Sequence, residues 1–384
     1  MMLRSLILTG AIQGAFLILL LKTKRKNSTS DQLLMIWLGI ISVQLLFYYD
    51  NLSSAPVATE YLNFLGFSLP LISSPLLFLY TYALAFGDQF KWKQIWIHLT
   101  PYFLFNVLLC CFYLQNPDSI LISNGFPHFN KEIPEPMIWF VTSLMAAIPG
   151  FYTIYSLLIL LKYQRLLPDN YAYTEKITLN WLKWIIISLL ILFITLFLLI
   201  KYGVNYELLT YDNLFAVVGT ILSFYIFFIG YFGLCQTTIF RDHPLTTDFV
   251  TEVIPQTSYK NSGMDEETCE QLFQQLKHHM EENKPFLAED LSLSMLAVQL
   301  GLSANQLSQV INQKSAVNFF TFVNGYRVEV VKERLNDPAY SHYSILAIGY
   351  DCGFRSKSSF NKIFKEMVGK TPSEYRSIPT HKDV

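Results

Sequence analysis

The chain has 384 residues and a formal net charge of −1, a length that accommodates two or three domains. Hydrophobic residues make up 52% and charged residues only 15%, against roughly 25% charged in an average soluble domain, which excludes a wholly soluble chain of ordinary surface. None of the five cysteines sits at a CxxC or Cys/His spacing, so neither a disulfide framework nor a zinc site is indicated. His278 and His279 are adjacent, about 100° apart on a helix, and so are poor joint metal ligands.

About seven apolar runs precede Arg241: Leu6–Leu21, Leu33–Tyr49, Tyr61–Phe86, Ile95–Leu114, Met137–Leu161, Trp181–Ile200 and Leu214–Leu234. Each approaches or exceeds the ~17–25 residues of a spanning helix, and polar faces at the helical period are largely missing. The first run ends in the basic cluster Lys22 to Lys26 with no small-residue cleavage site, and reads as a retained span rather than a signal peptide.

Loop charge predicts the orientation. Lys22, Lys24, Arg25, Lys26, Lys91, Lys93, Lys162, Arg165 and Lys176 fall on one side; Arg4, Lys131 and Lys201 fall on the other. The N-terminus is therefore expected outside and everything after Leu234 inside.

Gln13, Gln44, His98, Asn106 and Lys183 interrupt the apolar runs, either as helix-packing hydrogen bonders or as parts of a ligand site. Pro70, Pro75 and Pro149-Gly150 predict kinks in the third and fifth spans. The loop Gln115–Pro136 is the longest external one and too short for a folded periplasmic domain. Sensing would then occur within the helices or at their outer surface.

From 241 to 264, Pro, Thr, Ser, Asp and Asn replace the apolar runs, as in a tether. Asp265–Glu282 predicts a helix with Leu272, Phe273, Leu276 and Met280 on one stripe, packed on the following domain or serving as a short dimerisation helix.

Leu291–Gln313 predicts a helix-turn-helix: Ser292 or Ser294 caps the first helix, Gly301 turns, and Ser303 caps the second. The second helix offers Asn305, Gln306, Ser308, Gln309 and Asn312 on an exposed side, where Asn and Gln suit adenine edges, and Lys314 can reach a phosphate. A long helix follows from about Val317 to Asn336, on the order of 30 Å. That approaches the ~34 Å between successive major-groove faces.

Ser344–Arg376 predicts a second helix-turn-helix. Gly353 closes its first helix, Ser356 or Ser358 caps its second, and Phe360, Ile363 and Phe364 form the buried side. Arg355, Lys357, Asn361, Lys362 and Lys365 make the other side basic. Residues 338–384 carry seven Lys/Arg against four acids, so phosphate attraction should come mainly from this second motif.

Gly353-Phe354, Ser356, Ser358, Phe360, Phe364-Lys365, Gly369, Thr371-Pro372 and Tyr375-Arg376 together resemble the C-terminal signature of the AraC/XylS family of bacterial transcription regulators. The resemblance covers about Leu291 to Arg376. Asn318-Phe319 through Asn324, Tyr326 and Arg327 resemble the subgroup common in Bacteroidetes. Where the family usually has glycine and alanine, this chain has Ala316 and Val331, and it lacks the arginine often found near Gln309.

The fold class expected is all-α: an N-terminal seven-helix transmembrane bundle (1–240), a cytoplasmic linker (241–264), a helix before the domain (265–290) and an AraC-type domain (291–384). The resemblance implies a one-component transcription regulator, and the apolar runs place it in the bacterial inner membrane. Its expected partners are double-stranded promoter DNA, the lipid bilayer, a second copy, a signal ligand or membrane partner, and RNA polymerase. No cofactor is implied, and no P-loop, kinase glycine loop or nucleophile triad marks an enzyme. The alternative is a membrane transporter or receptor whose DNA-binding tail regulates its own gene, which inverted repeats and an even span count would favour.

Overall fold

In the computed structural model the described residues are 2–24, 28–52, 65–66, 68–86, 92–115, 120–123, 126–129, 135–175, 177–199, 202, 211–236 and 264–377. The expected tether at 241–264 lies outside them except for Met264. Contacts divide the chain into two units, 1–161 with 179–245 and 162–178 with 246–384.

The helices of the apolar region are α1 (Met2–Lys22), α2 (Thr29–Asn51), α3 (Pro70–Phe86), α4 (Lys93–Gln115), α5 (Glu135–Asn170), α6 (Asn180–Leu198) and α7 (Tyr211–Gln236). Among the described residues, six of these are long and apolar enough to cross a membrane by length and composition. The exception, α3, has 17 residues. Its predicted run began at Tyr61, but residues 61–64 lie outside the described ones. Pro70 opens α3, where its missing N–H costs no helical bond, so only Pro75 is interior. Among the described residues, an antiparallel hairpin of β1 (Ile120–Ser123) and β2 (Phe126–Phe129) interrupts the helices, in the loop expected to be external.

In the first unit, α1 packs on α2 and α7, and small residues bring the backbones together. A Cβ on Gly10 would collide with Ser223 of α7, and one on Gly14 with Ser42 of α2. Outward faces stay apolar: Trp96, Ile97, Leu104 and Trp184 are all more than 60% exposed. Several interior polar groups are hydrogen-bonded within the unit. Asn106 Nδ2 donates to Ser68 Oγ at 2.8 Å and to the Tyr102 carbonyl at 2.8 Å. Gln44 Nε2 donates to Tyr48 Oη at 2.7 Å, and His98 Nδ1 lies 3.2 Å from Tyr152 Oη. The Asn106 bond joins α4 to Ser68 ahead of α3 and the His98 contact joins α4 to α5, whereas the Gln44 bond lies within α2.

At 36 residues, α5 is about 54 Å long, well beyond the ~30 Å of a hydrocarbon core. Its last turns group with the second unit. There the order is α8 (Glu266–Asn283), α9 (Leu293–Gln299), α10 (Ala304–Ser315), α11 (Phe319–Asn336), α12 (Ile345–Asp351), α13 (Lys357–Val368) and α14 (Pro372–Arg376).

Two cores share α11. Phe319, Phe322 and Val323 join Leu296, Leu307, Val310 and Ile311 of α9 and α10. Val328, Val331 and Leu335 join Ile348, Phe360, Ile363 and Phe364 of α12 and α13. Each large apolar side chain so buried contributes roughly 1.5–3 kcal/mol. Cys269, Phe273, Leu276 and Met280 of α8 are spent in the first of these cores. Of the two expectations for this helix, its stripe follows the first, packing on the following domain.

Candidate nucleic-acid interface

Each helix-turn-helix is set by its caps. Ser292 accepts from the Met295 amide, and Ser303 forms a reciprocal capping box with Gln306. Gly301, at φ +68°, makes the first turn. In the second motif Ser344 caps α12, Gly353 turns at φ +89°, and Ser356, rather than Ser358, caps α13 by accepting from the Ser359 amide at 3.1 Å. Gly353 is also confined by space: a Cβ there would lie 2.5 Å from the Phe286 carbonyl oxygen.

Much of the sequence signature in this region is structural. Phe354 and Phe360 are buried with ring centroids 5.1 Å apart. Gly369 ends α13 in the left-handed conformation, and Thr371 with Glu374 forms the capping box of α14. The Thr371 amide holds the Glu374 carboxyl below its ordinary range. Arg376 donates to the carbonyls of Tyr343 at 2.8 Å, Tyr340 at 3.1 Å and Ser341 at 2.6 Å, tying the chain end to the approach of α12.

On α13, Lys357, Ser358, Lys362 and Lys365 are exposed and Asn361 is half-buried, as are Arg355 and Ser356 just before it. Lys362 lies 3.9 Å from Glu366, an exposed pair of little consequence. The predicted basic face is present as one surface. The first motif departs more from expectation. Asn305, Gln306 and Asn312 are exposed and Ser308 is half-buried, but Gln309 is only 5% exposed. Gln309 is buried although it lies about 200° around α10 from the core residue Leu307, so its placement among the exposed residues is corrected. Gln306 Oε1 already accepts from the Ser303 amide at 3.0 Å. Lys314 is held by Glu266 and by Glu270 of α8, the latter at 3.0 Å, which raises its pKa. It is therefore not a free phosphate contact.

The partners of Arg327 and the docking of one further segment carry no signal in the sequence. Arg327, 1% exposed, donates from Nε to the Phe286 carbonyl at 2.7 Å and from Nη2 to the Ala288 carbonyl at 2.8 Å; burial lowers its pKa to about 10. The segment is Tyr171–Glu175, following α5, which lies on this domain. The Glu175 carboxylate accepts from both Ser356 and Ser358.

The family match falls within the second unit. Residues 296–378 match the family model described as a helix-turn-helix domain. An uncharacterized HTH-type transcriptional regulator of Staphylococcus aureus is 31% identical over 124 residues, which is 32% of this chain and 15% of the relative. The regulatory protein PocR of Salmonella typhimurium is 31% identical over 90 residues, 23% of this chain and 29% of the relative. The chain thus spans under a third of the length of these relatives. No solved structure matches it. The match and the helix order identify the C-terminal region as a DNA-binding helix-turn-helix domain of the AraC type.

Proposed function

We propose that this chain is a membrane-anchored, one-component transcription regulator that binds promoter DNA sequence-specifically through both helix-turn-helix motifs. The observation carrying this reading is two such motifs fixed at opposite ends of α11, in a chain that also holds six helices of membrane-crossing character. At 18 residues α11 is about 27 Å long, so two recognition helices on one subunit suit neighbouring major-groove segments. In this reading α13 supplies most of the phosphate attraction through Lys357, Lys362 and Lys365. Asn305 and Asn312 of α10 address base edges.

The apolar region anchors the chain in the bacterial inner membrane as seven spans, with the N-terminus outside and the domain in the cytoplasm. A second copy raises effective concentration at tandem half-sites, and a signal ligand or membrane partner shifts that pairing. RNA polymerase is the downstream partner. The protein acts by binding and carries out no chemistry.

The test is selection of duplexes from a random pool by the full chain in detergent micelles. Enrichment of a motif with two half-sites about one helical turn apart is expected. Failure to enrich any sequence at moderate ionic strength would refute the reading.

A further inference from the structure

Tyr171–Glu175, between α5 and α6 in sequence, is built into the second unit rather than draped over it. Tyr171 forms an antiparallel bridge with Ser292, and the Ala172 amide donates to the Leu291 carbonyl at 3.3 Å. Ala172 is 1% exposed, and its carbonyl receives Asn324 Nδ2 at 3.0 Å and Arg327 Nη1 at 3.4 Å, both from fully buried side chains of α11. Beyond this anchor the segment reaches the second motif. The Arg355 guanidinium lies 5.6 Å from the Tyr173 ring centroid, and Ser356 and Ser358 donate to the Glu175 carboxylate.

The carboxylate therefore occupies the first turn of α13, where amide groups, the helix dipole and the serine hydroxyls would otherwise receive a DNA phosphate. We propose that Tyr171–Glu175 is an intramolecular latch, in which Glu175 stands in for a phosphate and keeps the second recognition helix from DNA until the segment undocks. The latch rests on the DNA-binding reading above. Because the segment joins two apolar helices, a rearrangement of those helices is transmitted to the reading head without a second messenger.

The test uses the full chain in detergent micelles and a fluorescein-labelled 30-base-pair duplex of mixed sequence, followed by anisotropy at fixed salt. Glu175→Gln should bind roughly three- to tenfold tighter than the unaltered chain. Glu282→Gln, which removes an equal charge elsewhere on the unit, should give a clearly smaller gain. Hydrogen exchange of a peptide covering 171–175 should speed up when duplex saturates the unaltered chain. Equal affinities for the Glu175→Gln and unaltered chains, an equal gain from Glu282→Gln, or unchanged exchange on DNA binding would each overturn the latch while leaving DNA binding intact. Failure of every variant to bind the duplex even at low salt would instead overturn the DNA-binding reading, and the latch with it.

Discussion

Arg327 donates from Nε to the carbonyl of Phe286 at 2.7 Å, joining residues 41 apart in the chain at the point where α11 passes from one motif to the other. The guanidinium satisfies carbonyls of the connection before α9 and of the Tyr171–Glu175 segment together. Removing it takes the donor from the Phe286 carbonyl and leaves Ala288 and Ala172 held only by the Leu291 amide and Asn324.

Arg327→Ala should accordingly destabilise the C-terminal unit by about 2–3 kcal/mol, the scale of charge-assisted hydrogen bonds lost from a buried site. Urea titration of the full chain in micelles, read by proteolytic susceptibility of the C-terminal fragment, measures this. Arg327→Lys should fall between, because an ammonium cannot present the fork that reaches Phe286 and Ala288 at once. A loss under about 1 kcal/mol for the alanine variant would show that water replaces the guanidinium.

Two backbone positions give opposite expectations. Gly353→Ala should destabilise by at least about 1–2 kcal/mol, since φ is +89° and the new Cβ meets the Phe286 carbonyl. Ala316→Gly should stabilise by about 0.5–1 kcal/mol, because Ala316 ends α10 at φ +55° where glycine is unstrained. The same denaturant titration reads both.

Replacing Lys357 and Lys362 together by alanine should weaken duplex binding roughly tenfold or more and lower the salt slope by about 2. Lys314→Ala should change the slope little, because Glu266 and Glu270 already hold that ammonium. Anisotropy across a salt series separates the two, and a larger effect from Lys314 would reverse their roles.

Reporter fusions should place Gly125 outside the membrane and Phe90 inside. The opposite result would overturn the orientation drawn from loop charge.

The local grammar was readable without coordinates. Cap serines, turn glycines and apolar spacing place both helix-turn-helix motifs to within a residue or two, because caps and periodicity are properties of contiguous residues. The basic face of α13 followed from the same spacing. Composition alone marked the apolar helices, since lipid-facing helices lack the polar stripe that a water-facing helix requires.

What only tertiary structure decided are the partners that a side chain meets across long stretches of chain. Gln309 and Lys314 were read as exposed by residue type, yet one is buried and the other is taken by α8. The stripe of α8 carried no mark of which surface would cover it. The docking of Ala172 on Asn324, 152 residues away, has no periodicity or motif behind it. Backbone carbonyls are identical along every chain, so the sequence does not say which of them a buried guanidinium or amide will find; chain topology chooses.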